Sequence, residues 1–188
     1  MLTILSRMIR TGILTEPRTE QNPALSPESG SRPRTAAPLN EDAATVEALQ
    51  RELWKTLGRA LCIRHVDAGS CNGCELEINA INNPYYNLEG MGIKFVASPR
   101  HADLLLVTGP VSVNMEEALR RTYDAMPNPK LVVALGDCGA CGGIFGKNYA
   151  SRGGISSILP VDQTIAGCPP SPAAIITGIL QAISSAAR

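Results

Sequence analysis

Two uninterrupted apolar runs, LLLV at 104–107 and LVVAL at 131–135, have no polar face to turn toward water. A strand that is apolar on both sides must be covered on both sides, which is the condition of a parallel sheet held between helices. The rest of the chain follows that rule. LCIRHV (61–66), GIKFVA (92–97), ADLLLVTG (102–109), KLVVALGD (130–137) and VDQTIAG (161–167) read as strands. Helical patterns alternate with them at 73–83, at 113–126 with Met115, Leu119 and Met126, and at 171–186 with Pro172 in the first turn. This alternation predicts an α/β fold of flavodoxin size, a three-layer sandwich with a four- to five-stranded, mainly parallel sheet.

The 188 residues allow one ordinary domain plus tails. Residues 17–38 hold five Pro and no aromatic side chain, too little apolar surface to offset the entropy of ordering. The expected division is therefore an N-terminal arm and Pro-rich linker over 1–40 and a folded domain over 41–188. Asn40, Glu41 and Asp42 suit the start of a helix with Val46, Leu49, Leu53 and Leu57 on one face, ended by Gly58. Leu2, Leu5, Ile9 and Ile13 could form the face of a helix that lies on a membrane or docks to a partner, the alternative being a frayed tail. Arg7 and Arg10 interrupt the first apolar residues, against a secretory signal. No stretch approaches the ~20 apolar residues of a membrane span, so a reducing cytoplasmic setting is expected.

Lys+Arg and Asp+Glu both number 17, and the zero net charge excludes a strongly basic nucleic-acid binder. With 44% hydrophobic residues the chain is not wholly disordered. So little self-repulsion suits a protein whose surface is partly covered by partners.

Cysteine carries the chemistry. Cys71 and Cys74 follow the first strand, Cys138 and Cys141 the fourth and Cys168 the fifth, whereas Cys62 lies inside the first. Ligands of open parallel sheets sit beyond the carboxyl ends of the strands, so three loops distant in sequence can bring thiolates to one sheet edge. Four thiolates there can hold a zinc ion or an iron-sulfur cluster. The Gly-rich GDCGACGG at 136–143 favours the cluster, whose sulfides need close backbone N–H groups. Taken alone, Cys138-Gly139-Ala140-Cys141 also has the layout of a thioredoxin-like dithiol, but that reading leaves Cys71, Cys74 and Cys168 idle. Phosphate-binding glycine motifs and a G-x-S-x-G elbow are absent, and only two His are present, which removes support for nucleotide binding and hydrolase chemistry.

Four ordered motifs carry a family resemblance: CNGCELEI (71–78), SPRHADLLLVTGP (98–110), ALGDCGACGGIF (134–145) and GCPP (167–170). Together, over about residues 60–185, they resemble the small subunit of group 4 nickel-iron hydrogenases, the formate hydrogenlyase and energy-converting type. They resemble almost as well the homologous 20 kDa subunit of respiratory complex I. The C-x-G-C-E of Cys71 to Glu75 is hydrogenase-like, since complex I subunits carry adjacent cysteines in C-C-x-x-E.

The resemblance implies a flavodoxin-like fold and an electron-transfer subunit without catalytic residues of its own. It implies one [4Fe-4S] cluster on Cys71, Cys74, Cys138 and Cys168. Cys141 is surplus by the family pattern, an alternative ligand or a support beside the cluster, and Cys62 is expected in the core. Glu77, and less so Glu75, is a candidate for a proton path, the plain alternative being helix-start acids. Arg100-His101 is either a cation that meets the cluster or a ligand on the partner subunit, or a solvated loop pair, while Tyr85, Tyr86 and Trp54 are expected to pack or to lie at a subunit interface. The implied partners are a hydrogenase large subunit, a ferredoxin-like iron-sulfur subunit and membrane-anchored subunits, with no nucleic acid. The implied place is peripheral, on the cytoplasmic side of the membrane.

Overall fold

The structure, a computed structural model, describes residues 58–186. The expected surface helix, the linker, the helix over 40–57 and Trp54 lie outside the described residues. The described chain runs β1 (Leu61–Asp67), α1 (Gly73–Ile81), β2 (Ile93–Phe95), β3 (Leu104–Thr108), α2 (Val113–Ala125), β4 (Leu131–Leu135), α3 (Gly136–Cys141), β5 (Gln163–Ile165) and α4 (Pro172–Ala186). Short 3-10 turns at Pro99–His101 and Ile155–Ser157 complete it.

All five strands pair in parallel in the order β2-β1-β3-β4-β5. This is the doubly wound order in which the chain turns from one sheet edge to the other between β1 and β3, and binding crevices open at that switch. Registers such as Ile63 with Leu104 and Leu104 with Leu131 align the carboxyl ends of the central strands.

Every residue of β3 is buried, as its unbroken apolar run requires. On one face Leu61, Ile63, Leu104, Leu106, Val133 and Leu135 pack against Ile78 and Ile81 of α1 and Ile175, Ile176 and Ile179 of α4. On the other face Leu105, Val107, Val132 and Ala134 meet Leu119 of α2 and Met126 just beyond it. Each such fully buried side chain contributes roughly 1.5–3 kcal/mol. Helices thus cover both faces, the three-layer α/β arrangement expected.

Every strand but β1, which runs one residue further, is shorter than the segment read for it. At 130–137, read as one strand, β4 stops at Leu135, and Gly136 and Asp137 open the short helix α3. Gly136 turns the chain with φ +80°, a conformation open to Gly at no steric cost. Among the described residues no helix is long and apolar enough to cross a membrane.

Candidate metal centre

Three loops leave the carboxyl edge of the sheet. After β1, Asp67 Oδ1 accepts hydrogen bonds from the amides of Gly69 (2.8 Å) and Ser70 (2.7 Å) and folds the chain back. Asn72 then takes a left-handed conformation (φ +71°), which Asn tolerates better than most side chains, and α1 begins at Gly73. Cys71 therefore sits just before α1 and Cys74 in its first turn. After β4, α3 carries Cys138 as its third residue and Cys141 as its last. Cys141 is thus at the end of this helix, which starts directly at the strand end. After β5, Gly167, Cys168, Pro169 and Pro170 lead into α4.

These loops pack on one another through glycine. A Cβ at Gly136 would stand 2.9 Å from Cys74 Sγ and 3.3 Å from the Gly167 carbonyl oxygen, and one at Gly143 2.7 Å from Cys138 Sγ. A Cβ at Gly73 would meet Cys71 Sγ at 3.6 Å and Pro169 Cβ at 3.8 Å, so the first and last loops also touch. Asp137 closes the set: its amide donates to Gly167 O (2.9 Å) and its Oδ1 accepts from Gly167 N (2.8 Å).

The thiols feel one another. Burial, reinforced by the negative charge of Glu75 and of Cys71, Cys138 and Cys168 as thiolates, pushes Cys74 up to about 12. Burial raises Cys138 as well, followed by Cys168, Cys71, Asp137 and Cys141. Cys71 and Cys168 are exposed, Cys74 and Cys138 half-buried, and all are free thiols. Bringing four thiolates so close is unfavourable unless cationic metal is shared among them. The donor set and the glycine-lined approach fit an iron-sulfur cluster. Among the described residues no three His, Cys, Asp or Glu side chains converge as ligands of a single metal ion do.

The other expected residues separate clearly. Cys141 is exposed, its thiol donating to the Asp137 carbonyl at 3.3 Å. Cys62 is half-buried on β1 at the opposite end of the strand. Glu77 is half-buried on α1, and among the described residues no hydrogen bond or ion pair reaches its carboxylate. Glu75 is instead the engaged carboxylate: Ser70 Oγ donates to its Oε2 at 2.6 Å and Thr108 Oγ1 donates to its Oε1. His65 Nε2 lies 3.0 Å from Thr108 Oγ1 and 3.7 Å from Glu75 Oε1. Sequence reasoning passed over Ser70, Thr108 and His65, and the signal for Thr108 is faint: a hydroxyl closing an otherwise apolar run. Arg100 and His101 are exposed on the 3-10 turn before β3, and Tyr85 and Tyr86 stack edge to face with ring centroids 4.9 Å apart.

Comparison with known proteins agrees with this picture. The family model for the NADH ubiquinone oxidoreductase 20 Kd subunit matches residues 71–182. A probable membrane-bound hydrogenase subunit, mbhJ of Pyrococcus furiosus, is 41% identical over 149 residues, covering 79% of this chain and 89% of its own. Formate hydrogenlyase subunit 7 of Escherichia coli is 42% identical over 146 residues, 78% of this chain and 57% of that one. An NADH-quinone oxidoreductase subunit of Herpetosiphon aurantiacus is 50% identical over 109 residues, 57% of this chain and 60% of that one. Among solved structures, a chain of the membrane-bound sulfane sulfur reductase, an archaeal respiratory membrane complex, superposes with a TM-score of 0.60 at 34% identity, covering 72% of this chain and 74% of that one. The protein belongs to the NADH ubiquinone oxidoreductase 20 Kd subunit family and is a subunit of an oxidoreductase complex of the hydrogenase and NADH-quinone oxidoreductase kind.

Proposed function

We propose that this chain is the electron-transfer small subunit of a membrane-associated nickel-iron hydrogenase. Cys71, Cys74, Cys138 and Cys168 would hold one [4Fe-4S] cluster between the nickel site of a large subunit and a ferredoxin-like subunit. The observation that carries this reading is the packing of three strand-end loops around those four thiols, with Gly136 and Gly143 admitting sulfur where any Cβ would collide. A cube of four irons takes one thiolate per iron, which suits four free cysteines carried on three loops. When bound, the cluster supplies reversible one-electron transfer. The protein's part is to hold the thiolates, exclude water on the Cys74 and Cys138 side, and present the exposed Cys71 and Cys168 side to a neighbour.

Partner docking is supported by large apolar side chains left in water around these loops. Leu76 is 61% exposed, Ile144 93% and Phe145 51%, on α1 and just after α3. Such groups beside a metal centre suit a surface that another subunit covers. The chain would sit peripherally on the cytoplasmic side of the membrane, anchored through its partners.

A complex I-type subunit that passes electrons to quinone is the second reading, favoured by the 50% identity to the NADH-quinone oxidoreductase subunit of Herpetosiphon aurantiacus. The C-x-G-C spacing and the longer matches to the membrane-bound hydrogenase and formate hydrogenlyase relatives weigh for hydrogenase. Anaerobic purification of the tagged full chain with its complex decides it. Nickel in a copurified large subunit, with about four iron and four sulfide per chain, is the expected result. A nickel-free complex that reduces quinone with NADH would replace this reading, and zinc without sulfide would remove the cluster.

A further inference from the structure

Glu75 stands next to Cys74 in α1, yet its side chain turns back toward the sheet, where a directed chain of hydrogen bonds receives it. The Asn72 amide donates to Ser70 Oγ (3.1 Å), and Ser70 Oγ–H donates to Glu75 Oε2 (2.6 Å). From the other side Thr108 Oγ1–H donates to Glu75 Oε1, and the Thr108 oxygen lies 3.0 Å from His65 Nε2, which as the Nε2–H tautomer donates to it. Both carboxylate oxygens are thereby filled by donors, the arrangement that fixes a carboxylate's position. The side chain is only 13% exposed, so its charge is weakly screened. The contacts also join three segments: the Cys71–Cys74 loop through Ser70, the end of β3 through Thr108, and β1 through His65.

We propose that Glu75 is a positioning residue for the centre: clamped by Ser70 and Thr108, it keeps a fixed negative charge beside Cys74 and thereby lowers the midpoint potential of the cluster. The inference rests on the cysteines holding a cluster. Reduction adds one electron, and with it one negative charge, to a group already surrounded by thiolates. A neighbouring carboxylate opposes that added charge and favours the oxidised state.

The test is a redox titration of the cluster, followed by its paramagnetic signal, in the intact purified complex at one pH. Glu75→Gln keeps the shape and removes the charge. It should retain wild-type iron and sulfide and move the midpoint to more positive values. Thr108→Val frees one side of the carboxylate to turn toward water, where its field is screened, and should move the midpoint in the same direction by less. Thr108→Ser restores the hydroxyl and should return it to the wild-type value, an effect that a merely structural role for Thr108 does not produce. If Glu75→Gln fails to assemble, the Thr108 pair carries the test. Variants that hold iron and sulfide but titrate at the wild-type potential, or shift negative, overturn the inference alone. A wild-type chain without iron and sulfide overturns the cluster reading with it.

Discussion

Asp137 and Gly167 exchange two hydrogen bonds, one in each direction, at 2.9 and 2.8 Å. The first residue precedes Cys138 and the second precedes Cys168, so this reciprocal pair sets the spacing of two thiols carried by loops that are otherwise independent. A hydrogen bond to a carboxylate contributes about 1.5–3 kcal/mol. Asp137→Ala removes one of the two bonds and leaves the Gly167 amide short of a partner. It should lower the unfolding free energy by about 1–3 kcal/mol in urea melts, whereas Asp137→Asn, which keeps an acceptor, should lose less. Equal stability of the alanine variant and wild type would show that the pair does not constrain the loops.

Gly136 and Gly146 both have positive φ, at +80° and +55°, but only Gly136 has sulfur in the way. An alanine at either position carries a backbone penalty of about 1–2 kcal/mol. At Gly136 it would also press a methyl group to 2.9 Å from Cys74 Sγ, whereas at Gly146 nothing lies within 4 Å. Iron and sulfide per chain should therefore fall several-fold in Gly136→Ala and stay at the wild-type level in Gly146→Ala. The same loss in both would mean that backbone strain, not the approach of sulfur, is responsible.

Cys138 and Cys141 share α3 but differ in surroundings. Cys138 is half-buried against Gly143, and Cys141 is exposed at the helix end with its thiol on the Asp137 carbonyl. Cys141→Ser should leave iron content and the reduced-cluster spectrum nearly unchanged, and Cys138→Ser should lose or convert the cluster. The reverse pattern exchanges their assignments, and comparable losses would make Cys141 a support for the cluster.

Burial holds His65 below its ordinary value of 6.5, with Glu75 and Asp67 opposing the shift and Arg64 adding to it. In the unfolded chain the ring protonates as pH falls through 6.5, while the folded ring does so only at lower pH. Between those two values the unfolded state binds more protons, so stability falls as pH drops through the window and is fully present above it. Urea melts from pH ~5 to ~8 should show this slope, and His65→Gln should flatten it. A slope unchanged in the variant would assign the effect to another group.

The parallel sheet was readable because β3 and β4 are apolar on both faces, a property of local sequence that only a covered sheet satisfies. The start of α3 was not readable. GDCGAC has poor helix propensity, and what starts the helix is Gly136 at φ +80° and a bond to Gly167, thirty residues ahead of Asp137. The cysteine groups followed from strand ends, hence from the sheet, but the choice between Glu75 and Glu77 did not. Both are acids in one helix, and what distinguishes them is Thr108, thirty-three residues beyond Glu75 and brought alongside only by the pairing of β1 with β3.

Loops after β1, β4 and β5 build the centre, and this imposes an order on biosynthesis. Cys71 leaves the ribosome long before Cys168, and the pieces meet only after the last strand has joined the sheet. A zinc knuckle with neighbouring ligands can take its metal as it is made; the thiols of this site come together only on a nearly finished fold. A cluster held there would tie the final strand and helix to the first, a closing stitch whose removal should release the chain's C-terminal third before its middle.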